Sequence, residues 1–218
     1  MRKIFSLFLL LAFMILPQIA SAEKTDYVDK SYNFRNVKTV VILGLRSDAD
    51  LRDISTAAKM KIQDEYSKNS RKLKCQVLTE DQARRMLGIT NMSTERLKGS
   101  LSDIADMWVE CNIKHWESSY YIVPARTVWE DRKRTRRYRN RWGDWEEDSY
   151  YESVPVTYPP YRVDTSEIIS VFEAHDAATG KIVFVREDNR SRDDQDAQKD
   201  MFGRMCNSFF EDLAKKVK

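Results

Sequence analysis

The sequence has 218 residues, with 37 lysines and arginines against 34 aspartates and glutamates, and a formal net charge of +3. Two of the cations, Arg2 and Lys3, belong to the amino-terminal export signal described next. Without them the chain carries 35 basic and 34 acidic side chains. A chain this close to neutral produces no overall field that would attract nucleic acid, so nucleic acid is not expected as a partner. The length favours one domain.

The amino-terminal segment has the pattern of a cleaved export signal. The cationic start is followed by an apolar run from Ile4 to Leu16 and by Ala20-Ser21-Ala22, a small-residue cleavage site. The run is shorter than the roughly 20 residues that a membrane-spanning helix needs, which argues against a membrane anchor. We therefore predict a signal peptide over residues 1–22, cleavage after Ala22 without a lipobox cysteine, and a periplasmic or secreted protein. No later segment is apolar enough to span a membrane.

The remaining chain, residues 23–218, shows alternating strand and helix patterns followed by strands and a final helix. Continuous or alternating apolar residues predict strands, and apolar residues three and four apart predict helices. The predicted elements in chain order are a strand at 37–45, a helix within 48–70, a strand at 73–79, short helices within 79–88 and 93–105, a strand at 106–116, a hairpin within 166–188 and a helix within 196–218.

This order predicts an α+β domain with an α/β-like start. We expect a mixed sheet with helices on one face, a long projecting β-hairpin at about 126–158, and an amphipathic helix at the carboxyl terminus. Three cysteines, Cys75, Cys111 and Cys206, lie in this part of the chain. In an oxidising compartment two of them could pair, and buried free thiols are the alternative.

Three motifs carry a resemblance to bacterial periplasmic envelope domains. They are "VKTVVIL" in the first strand, "IADMWVEC" at the third, and "AHDAATGKIVF" in the later hairpin. With the final amphipathic helix, they resemble the amino-terminal domain of TolB, the periplasmic domain of the curli-secretion lipoprotein, and related lipoproteins of unknown function. The resemblance implies a binding or assembly module without catalytic residues. The chain departs from the lipoprotein members because it has no lipobox cysteine.

The most unusual stretch is "DRKRTRRYRNRWGDWEED", residues 131–148, with seven basic and five acidic residues. We place Gly143-Asp144 at a two-residue turn. This register pairs Trp142 with Trp145 and Arg141 with Glu146, so that basic and acidic strands largely neutralise each other. The alternative to a merely solvated arm is an interaction face, because Arg, Trp and Tyr are enriched at binding hot spots. The candidate binding residues are Arg134, Arg136, Arg137, Tyr138, Arg139, Arg141, Trp142, Trp145 and Tyr151.

The expected partner of this arm is an envelope protein or anionic envelope material, either a polymer or lipid head groups. A homo-oligomer formed through the arm is a further alternative.

The sequence contains no recognisable catalytic, cofactor-binding or metal-binding pattern. The two histidines, His115 and His175, have no zinc-like spacing. Cys111 and His115 lie four residues apart on one strand, about 13 Å by strand rise, which is too far for a nucleophile and base. We therefore predict a non-enzymatic module that uses no cofactor or metal. The alternative is a hydrolase of envelope polymers whose scattered acidic residues form a site that sequence does not reveal.

Overall fold

The computed structural model describes residues 22–51, 54–89 and 93–217. The predicted signal peptide lies almost entirely outside these residues, so its cleavage remains a prediction. The chain divides into two compact units. One contains the residues up to Ser119 and from Thr165 onward, and the other is Tyr120–Asp164. No helix in the described ranges is long and apolar enough to cross a membrane.

Nine strands and four α-helices make up the described chain. The strands are β1 (Ala22–Val28), β2 (Thr39–Ile42), β3 (Arg46–Ser47), β4 (Gln76–Thr79), β5 (Met107–Val123), β6 (Arg126–Arg139), β7 (Trp145–Tyr158), β8 (Tyr161–Asp176) and β9 (Ile182–Arg192). The helices are α1 (Thr56–Ser70), α2 (Glu80–Met86), α3 (Thr94–Lys98) and α4 (Gln198–Lys216), with 3₁₀ turns at Phe34–Asn36 and Leu101–Asp103.

The main sheet is mixed, as predicted. Its strand order is β1-β9-β8-β5-β2-β4, and β3 pairs with β5 outside this path. β2 lies parallel to both β4 and β5, whereas β9 lies antiparallel to β1 and β8. Strands β6 and β7 form a separate two-stranded sheet. The predicted α+β class, the hairpin and the carboxyl-terminal helix are therefore confirmed.

Two hydrophobic clusters hold the main sheet. Because successive strand residues point to opposite faces, β2 contributes Val40 to one cluster and Val41 to the other. The larger cluster contains residues of α1 and α4, and the smaller one contains residues of α2 and α3. Thus α1 and α4 cover one face, and the two shorter helices cover part of the opposite face along β2.

Three element predictions differ from the structure. The first helix begins at Thr56, because the Ser55 side chain accepts a hydrogen bond from the backbone N–H of Ala58 and caps it. The segment 48–70, in which the helix was predicted, is therefore helical only from Thr56 onward. Strand β5 continues past residue 116 to Val123. Strand β1 was not predicted at all, because its sequence AEKTDYV is polar and its residues are mostly exposed.

The three cysteines are free thiols in this fold. Cys111 and Cys206 are buried and Cys75 is half-buried. Burial raises the pKa of the Cys111 and Cys206 thiols well above the ordinary value, so they behave as small apolar side chains rather than nucleophiles.

Candidate functional site: the β6–β7 hairpin

The hairpin turn is longer than the sequence predicted. The last strand pair is Arg139 with Trp145, and residues Asn140–Asp144 connect the strands. The Asn140 side chain organises this turn, because its Oδ1 accepts hydrogen bonds from the backbone N–H of Trp142 at 3.0 Å and of Asp144 at 2.9 Å. Gly143 has a φ of 90°, a conformation that favours glycine.

The predicted register was therefore wrong by three residues. It placed Trp142 opposite Trp145 and Arg141 opposite Glu146, whereas Trp142 and Arg141 both lie in the turn. In the structure Tyr138 lies opposite Glu146. The physical reason is the side-chain hydrogen bonding of Asn140, which favours a five-residue turn over a two-residue turn at Gly143-Asp144.

The observed register sorts the hairpin side chains into two faces. The even-numbered residues of β6 and β7 share one face, named here the even face, and the odd-numbered residues share the odd face. The even face carries a cross-strand charge ladder. Arg136 pairs with Asp148 at 3.3 Å and Arg134 pairs with Glu152 at 3.0 Å. Four cations and four acids on this face therefore cancel.

Three arginines of β6 have acidic neighbours on this face. Besides Arg134 and Arg136, Arg132 lies 3.5 Å from Glu130 of the same strand. The Tyr138 hydroxyl donates to Glu146 at 2.9 Å, which raises the pKa of that tyrosine. The even face is thus a largely satisfied polar surface.

The odd face carries the most exposed rings of the strands. Trp129 is 70% exposed, Tyr151 is 72% exposed and Trp145 is 63% exposed. Lys133 lies directly opposite Tyr151, and the Arg139 guanidinium lies 5.2 Å from the centre of the Trp145 ring. This face therefore combines apolar ring surface with positive charge.

The cations of the odd face are incompletely neutralised. Arg137 pairs with Glu147 at 2.8 Å. Within the described ranges, no carboxylate lies within salt-bridge distance of Lys133 or Arg139. The turn adds Arg141, whose guanidinium lies 4.3 Å from the centre of the Trp142 ring. Cations held against aromatic rings in this way can still approach an anion from solution.

The structure divides the nine candidate residues among three locations. The odd face holds Arg137, Arg139, Trp145 and Tyr151; the even face holds Arg134, Arg136 and Tyr138; the turn holds Arg141 and Trp142. Sequence reasoning missed Trp129 and Lys133, which share the odd face. The correct register would have revealed both, since every second residue of a strand lies on the same face.

A second polar cluster, in the main unit, joins residues that are distant in sequence. His175 of β8 lies with its Nε2 atom 3.3 Å from Glu110 Oε1 and 3.1 Å from Glu173 Oε2. Its Nδ1 atom lies 3.3 Å from the Gly180 carbonyl oxygen. The imidazole stacks on buried Trp108 with ring centres 4.8 Å apart and planes inclined by 6°.

In this cluster, the positive charge of His175 and the negative charge of Glu110 stabilise each other. Burial alone would lower the pKa of His175, but its hydrogen bonds to Glu110 and Glu173 raise the pKa to about 9. Burial alone would likewise raise the pKa of Glu110, but hydrogen bonds from His175 and Lys98 lower it to about 2. His175 is therefore an imidazolium at neutral pH, bound by an ionised Glu110.

The same cluster is the one group of described side chains able to offer three metal ligands. Glu110, Glu173 and His175 bring one ligand atom each to within 4.8 Å of one another. However, Lys98 Nζ already lies 2.8 Å from Glu110 Oε2. A metal would have to displace the proton of His175 against a raised pKa. The arrangement fits an internal ion network better than a metal site.

A cleft of about 660 Å³ in the main unit lies at the carboxyl ends of β2 and β4. Glu80 and Asp81 line it. Glu80 accepts a hydrogen bond from the Gly44 N–H at 2.7 Å and pairs with Arg84 at 2.6 Å. Burial alone would raise the pKa of Glu80, but the Gly44 N–H and Arg84 lower it. A carboxyl group held ionised in this way is unsuited to general-acid catalysis.

Comparisons with known proteins give only a likeness of fold. No protein-family model matches the sequence, and no curated protein matches it. Among solved structures, the chain is similar to the PelC dodecamer from Paraburkholderia phytofirmans, with 8% identity, a TM-score of 0.46, and coverage of 91% of this chain and 99% of that chain. It is also similar to lipoprotein GNA1162 from Neisseria meningitidis, with 9% identity, a TM-score of 0.44, and coverage of 82% and 99%.

The resemblance of the sequence to bacterial periplasmic envelope domains therefore stays a prediction. The more specific resemblance to the TolB and curli-secretion domains stays a prediction. Identities and TM-scores of this size establish neither a family nor a function.

Proposed function

We propose that the chain is an exported, non-enzymatic module of the bacterial envelope that binds anionic envelope material through the odd face of the hairpin. The proposal rests on one observation, which is that the register places different kinds of side chain on the two faces of the hairpin. Three strongly exposed rings share one face with cations that have incomplete acidic partners, whereas the opposite face is neutral.

The exposed rings support a binding role. Large aromatic side chains are normally at least partly buried, and a row of exposed ones marks interaction surfaces. Trp129, Tyr151 and Trp145 follow one another along the odd face, so a partner would meet them as a strip rather than as a pocket. Their apolar faces suit the ring faces of sugars or the interfacial layer of a lipid membrane.

The cations of the hairpin favour a negatively charged partner. Lys133 and Arg139 on the odd face, and Arg141 in the turn, would attract phosphate or carboxylate groups of an envelope polymer or of lipid head groups. Such attraction is screened by salt. The predicted export supports an envelope partner over nucleic acid, since an exported chain leaves the compartment that holds nucleic acid.

Co-sedimentation with purified envelope fractions, with phosphatidylglycerol vesicles and with isolated anionic polysaccharide tests this proposal. The odd-face variant replaces Trp129, Trp145 and Tyr151 with alanine. The matched control replaces the even-face rings Tyr138 and Tyr150 with alanine. We expect salt-sensitive binding that the odd-face variant loses and the control keeps. The two purified materials then identify the anionic fraction responsible.

Equal binding by both variants would refute a role for the odd face. Binding to the envelope fraction that resists salt and is abolished by protease treatment of that fraction would favour a protein partner instead.

A further inference from the structure

The two hairpin strands differ sharply in charge, and each has a free edge. Strand β6 carries seven basic and two acidic residues, whereas β7 carries four acidic residues and no basic one. In the part of the chain that the structure describes, β6 and β7 pair only with each other. The outer edge of β6 is therefore bordered by cations and the outer edge of β7 by anions.

The hydrogen bonding of the turn shows which backbone groups point outward. The Asn140 N–H donates to the Asp144 carbonyl oxygen at 2.8 Å. In an antiparallel pair, hydrogen-bonded and non-hydrogen-bonded pairs alternate. The Arg139–Trp145 pair next to this bond is consequently non-hydrogen-bonded, and so is every other odd-numbered pair of the register. The odd-numbered residues thus direct their N–H and C=O groups toward the free edges.

The position of Pro155 agrees with this assignment. Proline has no N–H to donate and is tolerated in a sheet where that N–H would face the edge. Pro155 lies opposite Trp129, in an odd-numbered pair. It also removes one donor from the outer edge of β7, so that edge is uninterrupted only between Trp145 and Val154.

We infer that the hairpins of successive copies of this chain pair side by side, with the outer edge of β7 in one copy against the outer edge of β6 in the next. Hairpins that point the same way make this contact antiparallel. If the copies lie level, each β7 residue faces the β6 residue of the next copy that it also faces within its own hairpin. Odd-numbered residues then face odd-numbered residues, and their outward backbone groups form hydrogen bonds.

The same level register matches the charges. Asp148 gains a second Arg136, and Glu147 gains a second Arg137, each from the neighbouring copy. Basic and acidic strands alternate throughout the resulting sheet, so opposite charges meet at every junction. Pairing β6 with a second β6, or β7 with a second β7, would instead bring like charges together.

This contact is heterologous, because it joins two different edges. Repetition therefore leads to a closed ring or to an open filament rather than to a two-fold dimer. The odd faces of all copies would lie on one side of the shared sheet, which would multiply the binding strip of the proposed function. The inference itself depends on the strand edges and not on that face.

Two single-cysteine variants test the level register. Thr135 and Ser149 are both exposed and directly opposite within the hairpin. One purified chain carries Thr135→Cys and the other carries Ser149→Cys. In the inferred sheet, the two cysteines of neighbouring copies have Cα atoms about 5.5 Å apart, within disulfide range. Mild oxidation of the mixture should produce a cross-linked dimer. Each variant alone should produce no more dimer than the unsubstituted protein.

A dimer formed by either variant alone would show a two-fold contact between like edges and would overturn the inference. So would a mixture that stays at the background of the unsubstituted protein. As a second measurement, sedimentation velocity should show association that Ser149→Pro abolishes and Ser149→Ala retains, since only proline removes the outward N–H. The odd-face variant of the binding experiment should still cross-link, so failure of the proposed function and failure of this inference are distinguishable.

Discussion

Replacing His175 with glutamine tests the ion network of the main unit. The imidazolium pairs with Glu110 and Glu173, and its side chain is only 10% exposed. Its pKa rises from 6.5 to about 9 on folding. At about 1.4 kcal/mol per pKa unit, the charged form stabilises the fold by about 3 kcal/mol relative to the neutral form.

The sign of the pH dependence follows from the raised pKa. This stabilisation is fully present below the unfolded pKa of 6.5 and is lost as the pH rises through about 9. Glutamine cannot carry the charge. The variant should therefore lose about 3 kcal/mol more free energy of unfolding at pH 6 than at pH 10, compared with the unsubstituted protein at each pH.

Urea unfolding of both proteins, followed by circular dichroism at pH 6 and pH 10, measures this difference. Comparison at each pH removes the contribution of other titrating groups. The pH-independent part of the loss reports the stacking on Trp108 and the shape of the side chain. An equal loss at the two pH values would refute the reasoning, because it would show that folding does not shift the pKa of His175. A smaller loss at pH 6 than at pH 10 would show that folding lowers this pKa.

Three further predictions concern the edge strand and the hairpin. Arg186→Met should destabilise the fold by about 1–3 kcal/mol in urea unfolding, because it removes the buried guanidinium that pairs with both Asp26 and Asp212. Asp26→Asn in the same chain should restore part of the loss by removing one of the two neighbouring negative charges, and no change in either variant would refute the pairing. Replacing Trp142 and Trp145 with alanine should leave the free energy of unfolding of the main unit, measured in urea, within about 0.5 kcal/mol of its original value, since both rings are more than 60% exposed. A large loss would show that the two rings belong to a core. Asn140→Ala should accelerate amide hydrogen exchange in the hairpin turn, because two backbone N–H groups lose their acceptor; unchanged exchange would contradict the turn described above.

Apolar patterning in the sequence was sufficient to predict most of the main unit. The β-branched run around Val40 predicts a buried strand, and the apolar stripe of the last helix predicts a helix with one buried face. These buried surfaces determine where the two elements lie in the fold. Strand β1 escaped prediction because its exposed, polar residues are held by pairing with β9 and by the Asp26–Arg186 ion pair. Asp26 and Arg186 lie 160 positions apart in the sequence, so no local pattern reveals their contact.

The candidate site was predicted in composition but not in arrangement. The basic and aromatic residues of the hairpin were recognised. However, the misplaced turn assigned residues of β6 and β7 that share a face in the structure to opposite faces. One side chain, Asn140, determined the register, and a shift of three residues moved Trp142 from a strand into the turn. The network of His175 was equally hidden, since Glu110 lies on a different strand and approaches only when β5 and β8 become neighbours in the sheet.

The even-face ladder has a consequence for how the hairpin can change over evolutionary time. The β6 and β7 residues are almost all exposed, so the ladder contributes little burial, and substitutions there remove few packed contacts. A changed residue on this arm is therefore rarely eliminated for poor folding, in contrast to a changed residue around Phe209 in the core. Selection on the arm acts mainly through what it binds, which makes it the part of the molecule where new specificity can arise at the lowest risk.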